Sequence, residues 1–234
     1  MTRLPARLIA AGLVAFAACA ALVALGTWQV QRRAWKLDLI AQVAARVHAV
    51  PVATPGPSEW PEIDAASAQY RRVRLVGMYL PAQTLVQAST ERGTGWWVLA
   101  PMRTDRGFTV LVNRGFVAGR DAPAPPAGSQ TVTGLLRISE PGGGFLRAND
   151  PANGRWYSRD VAAIAAAGHL AQVAPYFVDA DAASSKPGGP IGGLTVIAFP
   201  NNHLVYALTW YMLAAMVAGG FVIFVRMQGR GAGA

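Results

Sequence analysis

The sequence predicts a membrane protein in which two transmembrane α-helices, one near each end, flank a single extracytoplasmic, β-rich antiparallel α+β domain. Three observations predict it. Only 14% of the 234 residues are charged and 53% are hydrophobic, whereas soluble domains carry about 25% charged residues. Two long uncharged runs, Leu8 to Leu25 and Leu204 to Val225, stand near the ends. Between them lie short β-branched and aromatic runs, separated by glycine and proline turns.

The elements follow in order. Residues 1–28 are the N-terminal anchor, with Arg3 and Arg7 before the run and Gly26-Thr27-Trp28 closing it. At about 1.5 Å per residue the run crosses a hydrocarbon core of roughly 30 Å. Phe16-Ala17-Ala18-Cys19 resembles a lipoprotein processing site, and Ala18-Cys19-Ala20 a signal-peptidase site. Against cleavage, the apolar pattern continues past Cys19 into an aromatic-anchored helical stretch, so the reading is an uncleaved anchor. Residues 29–50 form a helical stalk, with Trp28, Arg32 and Trp35 on one face. Residues 51–200 are the periplasmic β-rich domain. Pro51, Pro55, Pro57 and Pro61 predict a stiff linker at its start. Strands are expected at 70–79, 84–87, 96–99, 108–117, 131–138 and 175–178. The run Phe108-Thr109-Val110-Leu111-Val112 is apolar and β-branched enough for a central strand. One helix is expected from Asp160 to Ala167, capped by Asp160 and Gly168. Ser184 to Gly193 reads as a flexible hinge. Residues 201–226 are the C-terminal transmembrane helix, and 227–234 a cytoplasmic tail.

Orientation rests on arginine. Arg3 and Arg7 flank one span on its outer end and Arg226 and Arg230 the other, which places both termini in the cytoplasm. Arg32, Arg33 and Lys36 compete with this count, but a long intervening segment translocates largely regardless of its charge. No amphipathic presequence precedes the first span, so the expected location is a bacterial inner membrane. Without a hydrophobic drive in lipid, close packing through Ala10–Ala24 and the pairs Ala214/Ala218 and Ala215/Gly219 is the expected glue between spans.

Composition excludes several function classes. The net charge is +9, but the basic residues are scattered without a block to follow phosphates, so no nucleic acid partner is expected. Cys19 is the single cysteine, which excludes an internal disulfide, a CxxC pair and a multi-cysteine metal site. There is no GxSxG, HExxH or GxxxxGK[ST] pattern. His48 and His169 are isolated. Asp150, Asp160, Asp179 and Asp181 could pair for acid–base work, but turn and cap roles explain Asp150 and Asp160. No enzymatic activity is expected.

The edge of the second span is more informative. Asn201 or Asn202 can cap its helix, and His203, Tyr206 and Trp210 follow at i, i+3 and i+7 on one face. The indole then lies about 10 Å deeper than the imidazole. This pattern suits an interfacial anchor. It also suits a flat amphipathic ligand such as haem, with the imidazole on iron and the indole against the macrocycle.

Four stretches carry a family resemblance. They are residues 25–36 (LGTWQVQRRAWK), 110–115 (VLVNRG), 156–160 (WYSRD) with 175–179 (PYFVD), and 201–210 (NNHLVYALTW). In this order they resemble the surfeit-locus (Surf, Shy-type) family of cytochrome c oxidase assembly factors. Phe116 and Ala118 stand where that family often has Trp and Pro. The resemblance implies a two-span protein that helps mature the haem–copper oxidase. Its implied partners are oxidase subunit I, proteins of haem a biosynthesis or assembly, and membrane lipid. It also implies haem a as bound cargo, with His203 (the iron ligand) and Trp210 as the residues concerned. Tyr206 belongs to the same stripe, and Arg32 and Arg33 are the nearest cations for the propionates. Two other readings stay open: a scaffold for subunit I that does not touch haem, and a membrane-anchored periplasmic enzyme.

Overall fold

A computed structural model of the chain describes residues 6–197 and 199–231. Arg3 and residues 232–234 of the expected tail lie outside the described residues, as does the side chain of Arg230. The chain divides into a helical unit, Met1–Gln42 with Ala198–Ala234, and a β unit, Val43–Ile197.

Two helices build the helical unit. The first, α1, runs unbroken from Ala6 to His48, so the expected anchor and stalk are one helix. The last, α4, spans His203–Gly231. Both are long and apolar enough to cross a membrane. The shielded positions Gly12, Ala15, Cys19, Leu22, Gly26, Gln29, Arg33 and Lys36 recur along α1 at alternating steps of three and four. On α4 the matching stripe is His203, Ala207, Trp210, Ala214, Val217 and Phe221. That period of about 3.5 is the seam of a left-handed helix pair. The contacts run in opposite senses along the two helices, so the pair is antiparallel. Gly12 faces Phe221, Cys19 Sγ donates to the Ala214 carbonyl at 3.4 Å, and Thr27 Oγ1 lies 3.1 Å from Tyr211 Oη.

Small residues do form this seam, though not all of those expected. Gly26 is buried, and a Cβ there would stand 2.8 Å from the Tyr211 ring. Ala207 and Ala214 are buried, whereas Ala215, Ala218 and Gly219 point away, and nothing lies within 4 Å of a Cβ at Gly219. Oxidation of an Ala214→Cys chain is expected to crosslink the new thiol to the neighbouring Cys19. Adding Gly26→Leu should reduce the crosslink several-fold by wedging the helices apart, while Gly219→Leu should leave it unchanged. Equal yields in the two backgrounds would refute the seam.

The β unit is a small barrel. Its strands are β1 (Val52–Ala53), β2 (Arg72–Tyr79), β3 (Thr84–Thr90), β4 (Gly93–Thr104), β5 (Thr109–Val117), β6 (Ser129–Ile138) and β7 (Val173–Ala180). They are ordered β1-β2-β6-β7-β5-β4-β3, and β2 also pairs with β4, which closes the sheet. At that closure Gly77 meets the Arg103 carbonyl, where a Cβ would lie at 2.3 Å, so only glycine lets the strands touch. Most neighbours are antiparallel, as expected, but β5–β7 and β1–β2 are parallel. Alternate residues of β5 and β7 face opposite ways. Val110, Val112, Tyr176 and Val178 fill the barrel with Phe108, Leu136 and Met102. Leu111 and Phe177 face outward into a second core with Val86, Leu99, Trp156 and helix α3 (Val161–Ala167). This double burial is why β5 reads as an unbroken apolar run. Asp160 caps α3, accepting from the Ala163 amide at 3.1 Å. A one-turn helix, α2 (Ala65–Ala68), is fixed by a capping box between Asp64 and Ser67, a signal the strand-dominated reading passed over.

Two expected connectors are instead part of the packed unit. The proline-rich segment at 51–61 is no free linker. Thr54, Pro55 and Gly56 are buried, Tyr176 donates its hydroxyl to the Pro55 carbonyl at 2.6 Å, and Arg106 donates to the Thr54 carbonyl at 2.6 Å. Burial drives the Tyr176 phenol above its ordinary pKa, in keeping with a hydroxyl held as a donor. The presumed hinge is also tied down. Phe116 and Ile191 exchange two backbone hydrogen bonds of 2.9 Å, and the Gly192 amide donates to Ser185 Oγ at 2.7 Å. Gly115, at φ +129°, lies so close to Ile191 that any side chain there would collide with its carbonyl.

Candidate functional site

The first candidate lies at the start of α4. The Tyr206 amide bonds to the Asn202 carbonyl at 3.3 Å, so Asn202 precedes the first helical turn and His203 opens it. His203 Nδ1 is 2.7 Å from Gln29 Oε1 on α1. A carboxamide oxygen only accepts, so Nδ1 carries the proton, and in the neutral imidazole the lone pair then sits on Nε2. That is how proteins commonly prepare a histidine for a metal, by fixing its tautomer through the other ring nitrogen. Asn201 Oδ1 is buried and has no hydrogen-bond partner among the described residues. Trp210 shares the seam with His203, two turns further along. Tyr206 does not; it stands at the flank, 55% exposed.

The arginines expected to serve the same place separate. Arg33 is half-buried on the seam side with Gln29 and Lys36. Arg32 is exposed and stacks on Trp35 at 4.0 Å from the ring centroid. Lys36 lies 5.3 Å from the Phe199 ring. Gln29, Lys36 and Asn201 stand within the family-like stretches but received no site role from the sequence. The heptad step from Gly26 through Gln29, Arg33 and Lys36 was the signal for the first two.

The second candidate is in the β unit, where β5, β6, β7 and the approach to α3 bring four charges together. Asp179 is 4% exposed and accepts from Asn113 Nδ2 at 2.7 Å, Arg137 Nη1 at 2.9 Å, Arg159 Nη1 at 3.2 Å and Thr195 Oγ1 at 2.9 Å. Glu140 takes Arg159 Nε at 2.9 Å and Arg137 Nη2 at 3.4 Å. The Arg159 guanidinium also covers the Phe177 ring at 4.8 Å. Burial opposes its charge, but Asp179 and Glu140 more than offset this and hold its pKa above the ordinary arginine value. Arg137 Nε is buried without a partner among the described residues. A cavity of about 520 Å³ opens over Arg137, Arg159, Asp179 and Trp97. Its chemistry is restrained. Two carboxylates and two guanidiniums neutralise one another, and both Asp179 oxygens are occupied by donors; the exposed Glu91 on the cavity wall stands outside that cluster.

The model of the SURF1 family matches residues 16–215, a stretch that takes in most of α1, the whole β unit and the first part of α4. The chain belongs to the SURF1 family. It is similar to Surfeit locus protein 1 of Homo sapiens, 36% identical over an alignment that covers 82% of this chain and 69% of the human protein. Surfeit locus protein 1 of Takifugu rubripes is 36% identical over 82% of this chain and 87% of its own length. A SURF1-like protein of Monosiga brevicollis is 34% identical over 89% and 85% of the two chains.

The stretches that resemble the SURF1 family occupy both candidates. Residues 25–36 and 201–210 meet across the helical seam. In the triplet Asn113-Arg114-Gly115, the asparagine holds Asp179 and also accepts the Gly115 amide at 3.1 Å. Arg114 points elsewhere, to Gln83 Oε1 at 2.6 Å. In residues 156–160, the Trp156 carbonyl takes the Gln87 amide at 2.8 Å, Ser158 Oγ accepts from Gly143 and Asn149 at 3.0 Å each, Arg159 meets Asp179, and Asp160 caps α3. Asp179, weighed from sequence as an acid–base residue, is the hub of that ionic cluster.

Proposed function

We propose that this SURF1 family member is a membrane-bound assembly factor for haem–copper cytochrome c oxidase, which holds haem a at the start of α4 and aids its insertion into subunit I. One observation carries the haem part: the Gln29 bond that leaves His203 Nε2 free to ligate. His203 would take the iron, Trp210 and Tyr206 would offer aromatic surface, and Arg33 and Lys36, on the seam side of α1, would face the propionates, with Arg32 held outward on Trp35. Charge-assisted bonds from a guanidinium to a carboxylate are strong and can be bidentate. The chain would act by holding and releasing cargo, without catalysis. The paired charges of the Asp179 cluster favour this over a hidden hydrolytic site. The partners are then oxidase subunit I and proteins that make or deliver haem a, with lipid around both helices.

The test is the visible spectrum of the full chain purified from cells that make haem a. A Soret band that copurifies in stoichiometric amount supports the reading; its absence favours a haem-free scaffold. For location we propose a bacterial inner membrane, with both termini in the cytoplasm and the β unit in the periplasm, from Arg7 and Arg226 beyond the outer ends of the spans. A phosphatase reporter fused near Gly128 should be active and one fused after Gly229 silent. The reverse pattern would invert the topology.

A further inference from the structure

A cleft on the β unit carries two guanidiniums, those of Arg120 and Arg147, that no carboxylate pairs with among the described residues. It lies beside edge strand β3, has a volume of about 430 Å³, and is lined by Arg120, Arg147 and Arg155 together with Trp96, Trp156 and Tyr157. No carboxylate lines it. Arg120 stacks over the Trp96 ring at 5.3 Å and Arg147 over the Tyr157 ring at 5.5 Å, with Arg147 also donating to Gln87 Oε1 at 3.4 Å. Only Arg155 has an acidic neighbour, Asp150 at 4.0 Å. Arg137 and Arg159 differ, because their charges are balanced by Asp179 and Glu140. A guanidinium that rests on an aromatic face keeps its edge N–H groups free, and that edge matches a carboxylate.

The lip of the cleft is apolar. Gly144 and Arg147 close a tight turn through bonds of 2.8 and 3.2 Å, and the two residues at its tip, Phe145 and Leu146, are 92% and 89% exposed. Leu146 holds φ +56°, a left-handed conformation that branched residues avoid. Among the described residues this is the most exposed aromatic and aliphatic pair, and it stands directly beside Arg147.

We propose that this cleft and its lip dock a segment of a partner protein that combines acidic with apolar side chains, the carboxylates entering between Arg120 and Arg147 and the apolar groups covering Phe145 and Leu146. The guanidiniums line a concavity, which a side chain can enter and a plane of lipid headgroups does not. This inference stands apart from the haem reading, since it concerns the β unit and its readout needs no haem.

The test uses the full chain in detergent, titrated with a short fluorescein-labelled peptide of alternating glutamate and leucine, and with the same peptide carrying glutamine for glutamate. The glutamate peptide is expected to bind at least tenfold more tightly, with an affinity that falls as salt rises. Arg120→Gln with Arg147→Gln should cost about tenfold or more, and Phe145→Ser with Leu146→Ser several-fold, with thermal melting unchanged in both. Equal binding of the two peptides, or indifference to both pairs of substitutions, would overturn the proposal. So would displacement of the peptide by phosphatidylglycerol vesicles that depends on Phe145 and Leu146, because the occupant would then be a membrane surface.

Discussion

On the proposed haem site, His203→Ala is expected to abolish or shift any Soret band of the full chain purified from cells that make haem a. The imidazole is the only side chain of the α4 stripe with a nitrogen lone pair to give, and its other nitrogen is engaged by Gln29 at 2.7 Å. The neighbouring changes should grade the effect. Gln29→Leu removes the group that fixes the tautomer, and losses of about 10- to 100-fold are usual when the partner of a metal-bound histidine is removed. Trp210→Leu should weaken binding with little change of spectrum, because it removes packing and not ligation. Arg33→Gln should cost more than Arg32→Gln, since Arg33 is on the seam side and Arg32 is held outward on Trp35. Should His203→Ala keep both spectrum and affinity, the ligand assignment is wrong, and the α4 motif serves docking to the oxidase.

Asp179→Ala is expected to be the most destabilising single change in the β unit. It would leave Arg137 and Arg159, only 12% and 13% exposed, facing each other with Glu140 alone to balance them. Breaking a buried ion pair by removing one partner costs about 3–5 kcal/mol. For a domain of this size that is on the order of 10 °C in the melting midpoint. Thr195→Val removes one hydroxyl bond to the same carboxylate, so it should cost only about 1 kcal/mol. The measurement is the thermal loss of near-ultraviolet circular dichroism from the full chain in detergent. A midpoint within a degree or two of the parent for Asp179→Ala would show that the cluster contributes little to stability.

What the sequence made legible was whatever depends on neighbours in the chain. Alternation and β-branching located the strands, length and apolarity located both membrane-compatible helices, and Asp160 announced α3 by its capping position. What stayed hidden depends on distant partners. Prolines 51 to 61 look like a spacer until Tyr176, 121 residues away, donates to the Pro55 carbonyl. Ser184 to Gly193 looks like a hinge until Ile191 pairs with Phe116. Asp179 has no local sign of its role, because its partners come from Asn113, Arg137, Arg159 and Thr195. In the helical unit the same limit applies at finer grain. The i, i+3, i+7 stripe correctly joined His203 to Trp210, but the position of α1 decided that Ala207, not Tyr206, lies between them on the seam.

The place of β7 in the barrel has a consequence for biosynthesis. It is the last strand to be made, yet it sits between β6 and β5 and pairs in parallel with the latter. No earlier stretch of the nascent chain can therefore close the sheet. Such pairing between remote segments is slow, since loop closure must precede the reward of contact. The unit stays open until Ala180 has emerged, and α4 begins soon after, at His203. Acquisition of the barrel and emergence of the second helix are thus closely spaced events in translation. A chain terminated between β6 and β7 would leave an unclosed sheet with the facing edges of β5 and β6 unpaired, a substrate for quality-control proteases and not a partly working protein.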